Sequence, residues 1–345
     1  MAAEKEVVFL SGITGFIAQH IAKQLLESGQ FKVIGSVRSE EKALILANNF
    51  GNNPDLSFVY VKDISDKNAF DESFEKYGSS FDYVIHTASP VTFEVADIQK
   101  DLITPAHQGS AGIFKAAVAS CFKLKHFVIT SSFAAIVDQA TKNDPNTVYD
   151  ETSWNPSSLE EGLSSEFNGY RYSKKIAEKT VWDLSKKLNT KFGITAVNPV
   201  FVFGPQCFDS AAKGKLNTSC EFIRDVVNSK LGDELSGMNG AAIDVRDVAK
   251  AHIMPLLESQ KFNGKRLLLS DVRFDSQIFA DILNDVPELK GKISIGNPNK
   301  NVNNFDNNAK IVNEETKKLL GFKFISLKKS VTDTAAQIIR AQNSF

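Results

Sequence analysis

The feature that most constrains the fold of this 345-residue chain is a regular alternation of short apolar runs and longer amphipathic stretches from residue 7 to residue 200. Such alternation predicts strands joined by helices, and therefore an α/β fold with a doubly wound parallel sheet. The predicted strands are residues 7–10, 32–36, 58–61, 83–86, 126–130 and 195–200. The predicted helices are residues 16–27, 41–49, 68–75, 98–120 and 170–188.

Beyond Pro199 the alternation becomes irregular, because glycines interrupt the chain repeatedly between residues 204 and 240. Residues 266–270 again have the apolar pattern of a strand. We therefore expect a Rossmann domain over residues 1–200, completed by strands and helices near residues 242–275 and 326–345. Residues 201–241 and 276–325 are expected to form a smaller C-terminal lobe that binds the substrate.

Charge and cysteine content argue against several classes of protein. The 40 basic and 41 acidic residues give a net charge of −1, which argues against nucleic acid or a membrane surface as the main partner. No apolar run approaches the roughly 18 residues of a membrane span. Cys121, Cys207 and Cys220 form no C-x-x-C motif, and they indicate reduced thiols in a cytoplasmic protein. The five histidines lack metal-ligand spacing, so no metal site is predicted.

A glycine-rich turn joins the first predicted strand to the first predicted helix. Its pattern is G-x-x-G-x-x-A, ending at Ala18. Glycine lets the backbone approach a pyrophosphate closely, and the helix N-terminus supplies amide donors. An ordinary strand–helix turn is the alternative, but the position at the first β–α junction favours a dinucleotide site. The predicted cofactor residues of this turn are Gly12, Ile13, Thr14, Gly15, Phe16 and Ile17.

The end of the second strand indicates which dinucleotide binds. NAD enzymes usually carry a carboxylate there for the ribose 2′-hydroxyl. This chain has Arg38 instead, with Lys42 one turn into the next helix, and both cations suit a 2′-phosphate. Glu40 and Glu41 are expected in the first turn of that helix, where the helix dipole favours carboxylates. We predict NADPH rather than NADH; a solvated loop cation is the alternative for Arg38.

Two further strand ends are predicted to complete the cofactor site, because ligands of such sheets bind at the carboxyl ends of the strands. Asp63 and Ile64 follow the third strand and are expected to flank the adenine. Thr87, Ala88 and Ser89 follow the fourth strand and are expected to pass beneath the ribose and pyrophosphate. Simple turn chemistry is the alternative for both segments.

Tyr170 and Lys174 form a Y-x-x-x-K pair on the predicted helix 170–188. Residues at this spacing share one helix face, and an ammonium beside a phenol favours the phenolate, so we predict a proton donor with a lowered pKa. The fifth strand ends in Ser131 and Ser132, either of which could donate to a substrate carbonyl at the same edge. An exposed helical pair without a catalytic role is the alternative interpretation of Tyr170 and Lys174.

Together, the glycine turn, the strand-end serines and the Tyr170–Lys174 pair resemble the extended branch of the short-chain dehydrogenase/reductase family. Further segments resemble the group related to plant dihydroflavonol reductases, and the likeness covers nearly the whole chain. These segments are residues 12–20, 32–38, 47–54, 86–90, 153–156, 196–206, 216–220, 243–252 and 319–324. The resemblance implies NADPH-dependent reduction of small aliphatic or aryl aldehydes and ketones to alcohols, with methylglyoxal and 3-methylbutanal as examples.

The resemblance also assigns roles to individual residues. Ser132, rather than Ser131, is expected to polarise the carbonyl, and Tyr170 to give its proton to the carbonyl oxygen. Lys174 is expected to lower the pKa of the phenol and to hold the nicotinamide ribose. Further cofactor contacts are implied for the following residues near the sixth strand: Pro199, Val202 and Ser219.

Four positions near the predicted site depart from the family's pattern. Gln108 stands where the family often has an asparagine that links the lysine to a proton-relay water. Phe133 replaces a tyrosine, and Arg171 with Tyr172 replaces small residues between the catalytic pair. We expect these changes to alter substrate preference more than reaction type.

An apolar wall for the substrate is predicted from three phenylalanines, with core packing as the alternative for each. They are Phe93, Phe133 and Phe167. The expected partner is a small-molecule carbonyl compound, and the protein is expected to be a monomer or a homodimer.

Three other functions share this fold. A reductase specialised for one aromatic or flavonoid-like ketone is the nearest. A sugar-nucleotide epimerase or dehydratase holds NAD tightly, and an acidic residue in place of Arg38 would have favoured it. An NADP-sensing regulator typically loses the tyrosine or the lysine, and this chain has both Tyr170 and Lys174.

Overall fold

In the computed structural model, residues 4–89, 95–298 and 305–343 are described. The first part of the chain forms β1 (Glu6–Ser11), α1 (Phe16–Glu27), β2 (Phe31–Val37), α2 (Glu40–Asn49), β3 (Leu56–Tyr60), α3 (Asp71–Tyr77), β4 (Tyr83–His86), α4 (Thr104–Ser120), β5 (His126–Thr130), β6 (Val148–Tyr149), α5 (Leu159–Leu163), α6 (Glu166–Leu188) and β7 (Gly193–Pro199). A π-helical turn, Gln99–Ile103, precedes α4.

The second part of the chain forms shorter elements. They are β8 (Phe201–Phe203), α7 (Thr218–Val227), β9 (Asn239–Asp244), α8 (Val245–Leu257), α9 (Ser259–Phe262), β10 (Lys265–Leu269), β11 (Val272–Asp275), α10 (Ser276–Asn284), β12 (Lys310–Ile311), α11 (Glu314–Leu320) and α12 (Leu327–Gln342). Every helix in the described part of the chain is too short or too polar to span a lipid bilayer.

Seven parallel strands form the central sheet, in the order β10-β7-β5-β4-β1-β2-β3. All six strands predicted between residues 7 and 200 belong to it, and the segment predicted at 266–270 supplies β10. The predicted doubly wound Rossmann sheet is therefore confirmed. The direction in which the chain adds strands reverses between β1 and β4. Folds of this kind bind ligands outside the carboxyl ends of the strands at such a point.

Both faces of the sheet are buried, which explains the continuous apolar runs of its strands. Successive side chains of β1 point to opposite faces: Val8 and Leu10 join one core cluster with α1 and α8, while Phe9 joins the other. In this second cluster the ring of Phe9 packs edge-on against Phe74, with centroids 4.7 Å apart, and lies tilted against Phe81, with centroids 5.2 Å apart. The sheet is thus fixed by aromatic packing on the face opposite α1.

A third core cluster lies in the smaller sheet, which has the order β11-β9-β8. Phe203, Phe274 and Phe279 fill it, with stacked rings of Phe274 and Phe279 at 5.0 Å. Helices α7, α10 and α12 cover these rings. We expect this cluster to be the core of the smaller lobe.

The packing differs from the predicted division of the chain in two details. Helix α12, expected near 326–345 to complete the Rossmann domain, packs on α7 and α10 instead, because Val331, Ala335 and Ile338 form an apolar stripe that matches the third core cluster. Residues 310–324, expected in the lobe, lie against the larger domain: β12 pairs with β6, and Leu320 and Phe324 join the core of α1 and α8. The two-domain division itself stays a prediction.

Phe9→Ala is predicted to lower the free energy of unfolding by about 3 kcal/mol or more, because it leaves a cavity among packed rings. Phe122→Ala is the matched control, since Phe122 is 86% exposed and its truncation should change stability by at most about 0.5 kcal/mol. Denaturant unfolding of both variants measures the difference. Equal stability of the two variants would contradict the packing described for the Phe9 face of the sheet.

Candidate active site

The glycine turn lies close to the segment that follows β4. Gly12 has φ +65°, and a Cβ added there would lie 3.0 Å from the Cα of Ala88. The N–H of Gly12 donates to Ser36 Oγ at 2.9 Å, and the N–H of Ile13 donates to the Ser36 carbonyl. Ile13 is fully buried against Gly35, so neither its side chain nor its N–H is open to a ligand.

The first turn of α1 keeps its amide donors. Gly15 is its N-cap residue and provides no side-chain hydrogen bond to the helix. The amides of Phe16 and Ile17 therefore point out of the helix beside the exposed Thr14 and Gly15, as an anion site requires. Of the predicted turn residues, these four line the open side of the turn.

Ser11, at the end of β1, holds the segment after β4 in place. Its Oγ accepts from the N–H groups of Thr87 at 3.0 Å and Ala88 at 3.1 Å. The hydroxyl proton then donates to His86 Nδ1, 2.8 Å away. Burial, with a smaller effect of Lys174, lowers the pKa of His86 to about 3, so the imidazole is neutral.

Ser89 continues this segment, and its Oγ is buried without a hydrogen bond to any described residue. Buried hydroxyls are normally paired, so this one fits a site that a ligand completes. Sequence reasoning missed Ser11, Ser36 and His86, which position the cofactor segments from below. Their only signal in the sequence is that polar residues lie at or next to the ends of three neighbouring strands, β1, β2 and β4.

Arg38 and Asp63 lie exposed just after β2 and β3, and Lys42 is exposed in the first turn of α2. Hydrogen bonds from Ser65, and a weaker effect of Arg38, lower the pKa of Asp63 below its ordinary value. Arg38 is therefore near Asp63, as a shared adenosine site requires. Ile64 is buried, and its carbonyl faces Gly109 on α4, where a Cβ would lie 3.2 Å from the oxygen.

The helix after Arg38 begins as predicted. Ser39 caps α2 by accepting from the N–H of Lys42, and Glu40 and Glu41 lie in its first turn. The two carboxylates are thus on the helix dipole. Arg38 and Lys42 remain the cations at this strand end.

Ser132 and Tyr170 are brought together. The N–H of Ala134 donates to Ser132 Oγ at 3.1 Å, which leaves the Ser132 hydroxyl proton to donate to the Tyr170 phenol. Ser131 points elsewhere, since its hydroxyl donates to Glu178 at 2.5 Å. Of the two serines considered from the sequence, Ser132 is therefore the one beside the tyrosine.

Lys174 lies one turn beyond Tyr170 on α6, with its Nζ 5.8 Å from the centroid of the Tyr170 ring. Lys174 is buried, with 6% of its surface exposed. A buried cation needs acceptors, and ribose hydroxyls of a dinucleotide would supply them. The site thus fits the cofactor at this position.

The prediction that Lys174 lowers the pKa of Tyr170 is wrong for this structure. Burial raises the pKa of Tyr170 above its ordinary value, and the hydrogen bond from Ser132 opposes the rise. The physical reason is desolvation of the buried phenol, which is the largest effect on its pKa. Burial also lowers the pKa of Lys174 to about 8. At neutral pH the phenol therefore carries its proton.

The three phenylalanines predicted to line the substrate site have different surroundings. Phe133 is half-buried and packs edge-on against Tyr149, with centroids 5.9 Å apart. Phe167 is half-exposed, with the Arg171 guanidinium 5.6 Å from its ring, so it is not a core residue. Phe93 lies outside the described residues.

The residues implied near the sixth strand also lie together. Pro199 ends β7, and Val202 follows in β8. The hydroxyl of Ser219, in the first turn of α7, donates to the Val202 carbonyl at 2.5 Å. This hydrogen bond joins β8, which follows the last residue of β7, to α7, a helix of the third core cluster.

A doubly wound sheet with this turn and this serine–tyrosine–lysine arrangement defines a dinucleotide-dependent enzyme of the short-chain dehydrogenase/reductase type. Residues 8–267 match the NAD dependent epimerase/dehydratase family, and the chain belongs to that family. Membership of the extended branch, predicted from the sequence, is confirmed.

Individual relatives are similar over almost their whole length. The chain is 45% identical to the NADPH-dependent methylglyoxal reductase of Saccharomyces cerevisiae, covering 96% of this chain and 98% of the relative. It is 33% identical to a ketoreductase of Aspergillus niger, with 98% and 99% covered. The crystal structure of yeast methylglyoxal/isovaleraldehyde reductase complexed with NADPH matches with a TM-score of 0.93 and 44% identity, over 98% of this chain and 100% of that one.

Gly12→Ala is predicted to weaken NADPH binding by at least about tenfold, because the new methyl group pushes the turn away from Ala88. Gly29→Ala is the matched control: Gly29 has a similar φ of +68°, but nothing lies within 4 Å of its added Cβ. Both variants carry the same backbone strain, so the comparison isolates the close approach. Fluorescence titration with NADPH measures it, and equal affinity in the two variants would count against the turn as the pyrophosphate site.

Proposed function

We propose that this protein is an NADPH-dependent carbonyl reductase that converts small aldehydes and ketones, including methylglyoxal and 3-methylbutanal, to alcohols. The observation that carries the proposal is the Ser132–Tyr170 hydrogen bond, placed beside Lys174 at the sheet edge where the glycine turn lies. The two relatives named as a methylglyoxal reductase and a ketoreductase support the same reaction.

The mechanism follows from what reduction of a carbonyl requires. Bound NADPH supplies the hydride that reaches the carbonyl carbon. Ser132 and Tyr170 both donate to the carbonyl oxygen, which stabilises the negative charge that develops on it. Tyr170 then gives its proton to that oxygen, and Lys174 would hold the nicotinamide ribose.

Arg38 and Lys42 are proposed to bind the 2′-phosphate of the cofactor, and Asp63 to flank its adenine. Both cations are exposed at the end of β2, and the pKa of Asp63 is lowered partly by Arg38, so the groups share one surface. Arg suits this role because its planar guanidinium binds phosphate in a bidentate way.

A sugar-nucleotide epimerase or dehydratase is the alternative within the same family. The NAD that such enzymes hold would favour a carboxylate where this chain has Arg38. The relatives at 45% and 33% identity carry the names of reductases. Reduction is therefore the better-supported function.

The substrate is proposed to bind between the sheet edge and the smaller lobe, with Phe133 and Phe167 as apolar contacts. The half-exposure of Phe167 supports this role over core packing. Free Cys121, Cys207 and Cys220 agree with a cytoplasmic location, which we propose together with a monomeric or homodimeric state.

Tyr170→Phe is predicted to lower kcat by about 100-fold or more, because the proton donor is removed while NADPH binding is retained. Tyr172→Phe is the control, since Tyr172 lies on the same helix but has Ile176, not lysine, one turn on. Turnover is measured with NADPH and a panel of aldehydes and ketones. Full activity of Tyr170→Phe would refute the mechanism, and no turnover of any carbonyl by the unaltered protein would refute the function.

Arg38→Ala is predicted to raise the KM for NADPH by about tenfold or more and to leave the KM for NADH nearly unchanged, since only NADPH carries the 2′-phosphate. Lys32→Ala is the control: Lys32 is an exposed cation on the same strand, near its opposite end. Steady-state kinetics with both cofactors give the comparison. An unchanged KM for NADPH in Arg38→Ala would remove Arg38 from the phosphate site.

A further inference from the structure

Behind the catalytic pair lies a buried polar cluster that the mechanism above does not use. Its centre is the carboxylate of Glu178, which is fully buried on α6 one turn beyond Lys174. Tyr170, Lys174 and Glu178 are four residues apart and therefore follow one another along one helix face. The innermost member of this face is thus an acid, next to the lysine.

The carboxylate of Glu178 accepts hydrogen bonds from four different side chains. Arg266 donates from Nε at 2.6 Å and from Nη2 at 3.3 Å. Ser131 donates from Oγ at 2.5 Å and Asn198 from Nδ2 at 2.7 Å, both to Oε2. Trp182 donates from Nε1 at 3.2 Å to Oε1.

Two of these donors are linked directly to Ser132. Ser131 precedes it in the chain and has its own N–H bonded to the Val197 carbonyl, so it is held on both sides. The Asn198 amide group donates to the Ser132 carbonyl at 3.3 Å as well as to Glu178. One oxygen of this carboxylate, Oε2, therefore accepts from both of the side chains that are linked to the backbone of Ser132.

The other two donors fix the carboxylate itself. Arg266 extends from β10, donates to the carbonyl groups of Glu151 and Ser153, and stacks on Trp154 at 3.9 Å. Trp182 lies on α6, one turn after Glu178. It donates to Oε1, whereas Ser131 and Asn198 donate to Oε2. The positive charge of Arg266 compensates the buried negative charge of Glu178. The carboxylate can therefore stay ionised while it accepts hydrogen bonds from Ser131 and Asn198.

We infer that Glu178 is a positioning residue for carbonyl reduction: through Ser131 and Asn198 it sets the distance between the Ser132 hydroxyl and the Tyr170 phenol. This inference rests on the proposed function. The same helix thus carries the proton donor and, two turns on, the group that places its serine partner. A misplacement of about 1 Å in such a pair is enough to lower turnover by a large factor.

The test removes single donors to Glu178 and compares their effects. Ser131→Ala is expected to lower kcat by about tenfold or more while the KM for NADPH stays near its original value. Asn198→Ala is expected to act in the same direction. The Asn198 side-chain oxygen accepts no hydrogen bond from any described residue, so its removal leaves no donor unpaired. Trp182→Phe removes a donor from the same carboxylate and is expected to retain kcat.

The pH profile separates positioning from loss of structure. Reduction requires protonated Tyr170, so kcat/KM falls as pH rises through the pKa of the phenol. The hydrogen bond from Ser132 lowers that pKa, and Lys174, whose own pKa burial lowers to about 8, is the titratable side chain over the ring. If Ser132 is displaced, the pKa rises and the basic limb moves to higher pH. A merely destabilised enzyme loses amplitude and keeps the limb in place.

We therefore expect the basic limb to move to higher pH in Ser131→Ala and Asn198→Ala, towards its position in Ser132→Ala, and to stay unchanged in Trp182→Phe. An unshifted limb and an unchanged kcat in either of the first two variants would overturn the inference. So would an equal shift in Trp182→Phe. Because the unaltered enzyme is assayed in parallel, failure of the proposed function would appear separately, as absence of turnover before any substitution.

Discussion

The ion pair between Glu178 and Arg266 is the interaction on which the geometry of the site depends. It joins α6 to β10 across 88 residues of chain, and its two side chains are almost completely buried. Breaking such a pair by removing one partner typically costs about 3–5 kcal/mol, because an uncompensated charge stays inside the protein. The helix with Tyr170 and Lys174 is thereby held at one position relative to the strand ends.

A second set of contacts fixes the cofactor side of the same edge. Ser11 and Ser36 bind backbone amides of neighbouring strand ends, and Gly12 lets the turn approach Ala88. These contacts are short and local to the sheet edge, whereas the Glu178 cluster lies deeper. Lys174 belongs to the catalytic side of the site and His86 to the cofactor side. The two sides are neighbours, because the charge of Lys174 contributes to the lowered pKa of His86.

The sheet and the catalytic spacing could be predicted from the sequence because both depend on local pattern. Strands buried on two faces appear as apolar runs, and a Y-x-x-x-K spacing places Tyr170 and Lys174 on one helix face wherever the helix lies. The position of α12 and the pairing of Glu178 with Arg266 depend on contacts between distant segments, which no local pattern reveals. The pKa of Tyr170 was predicted with the wrong sign because its desolvation is also a property of the packed structure.

Two residues that depart from the family's pattern have structural partners in the loop after Ser132. Phe133 packs on Tyr149, whose hydroxyl binds both the backbone of Asp138 and the side chain of Thr141. Arg171 donates to the Val137 carbonyl. Both substitutions therefore act on the shape of residues 133–149, next to the predicted substrate wall, and leave the serine–tyrosine pair intact. This agrees with an effect on substrate preference rather than on reaction type.

The most direct test of the central claim is the stoichiometry of NADPH oxidation by the purified protein in the presence of 3-methylbutanal, with the alcohol quantified in the same samples. The account predicts one alcohol formed for each NADPH oxidised, and much slower oxidation of NADH. Oxidation of NADPH without alcohol, or no oxidation with any aldehyde or ketone, would contradict it.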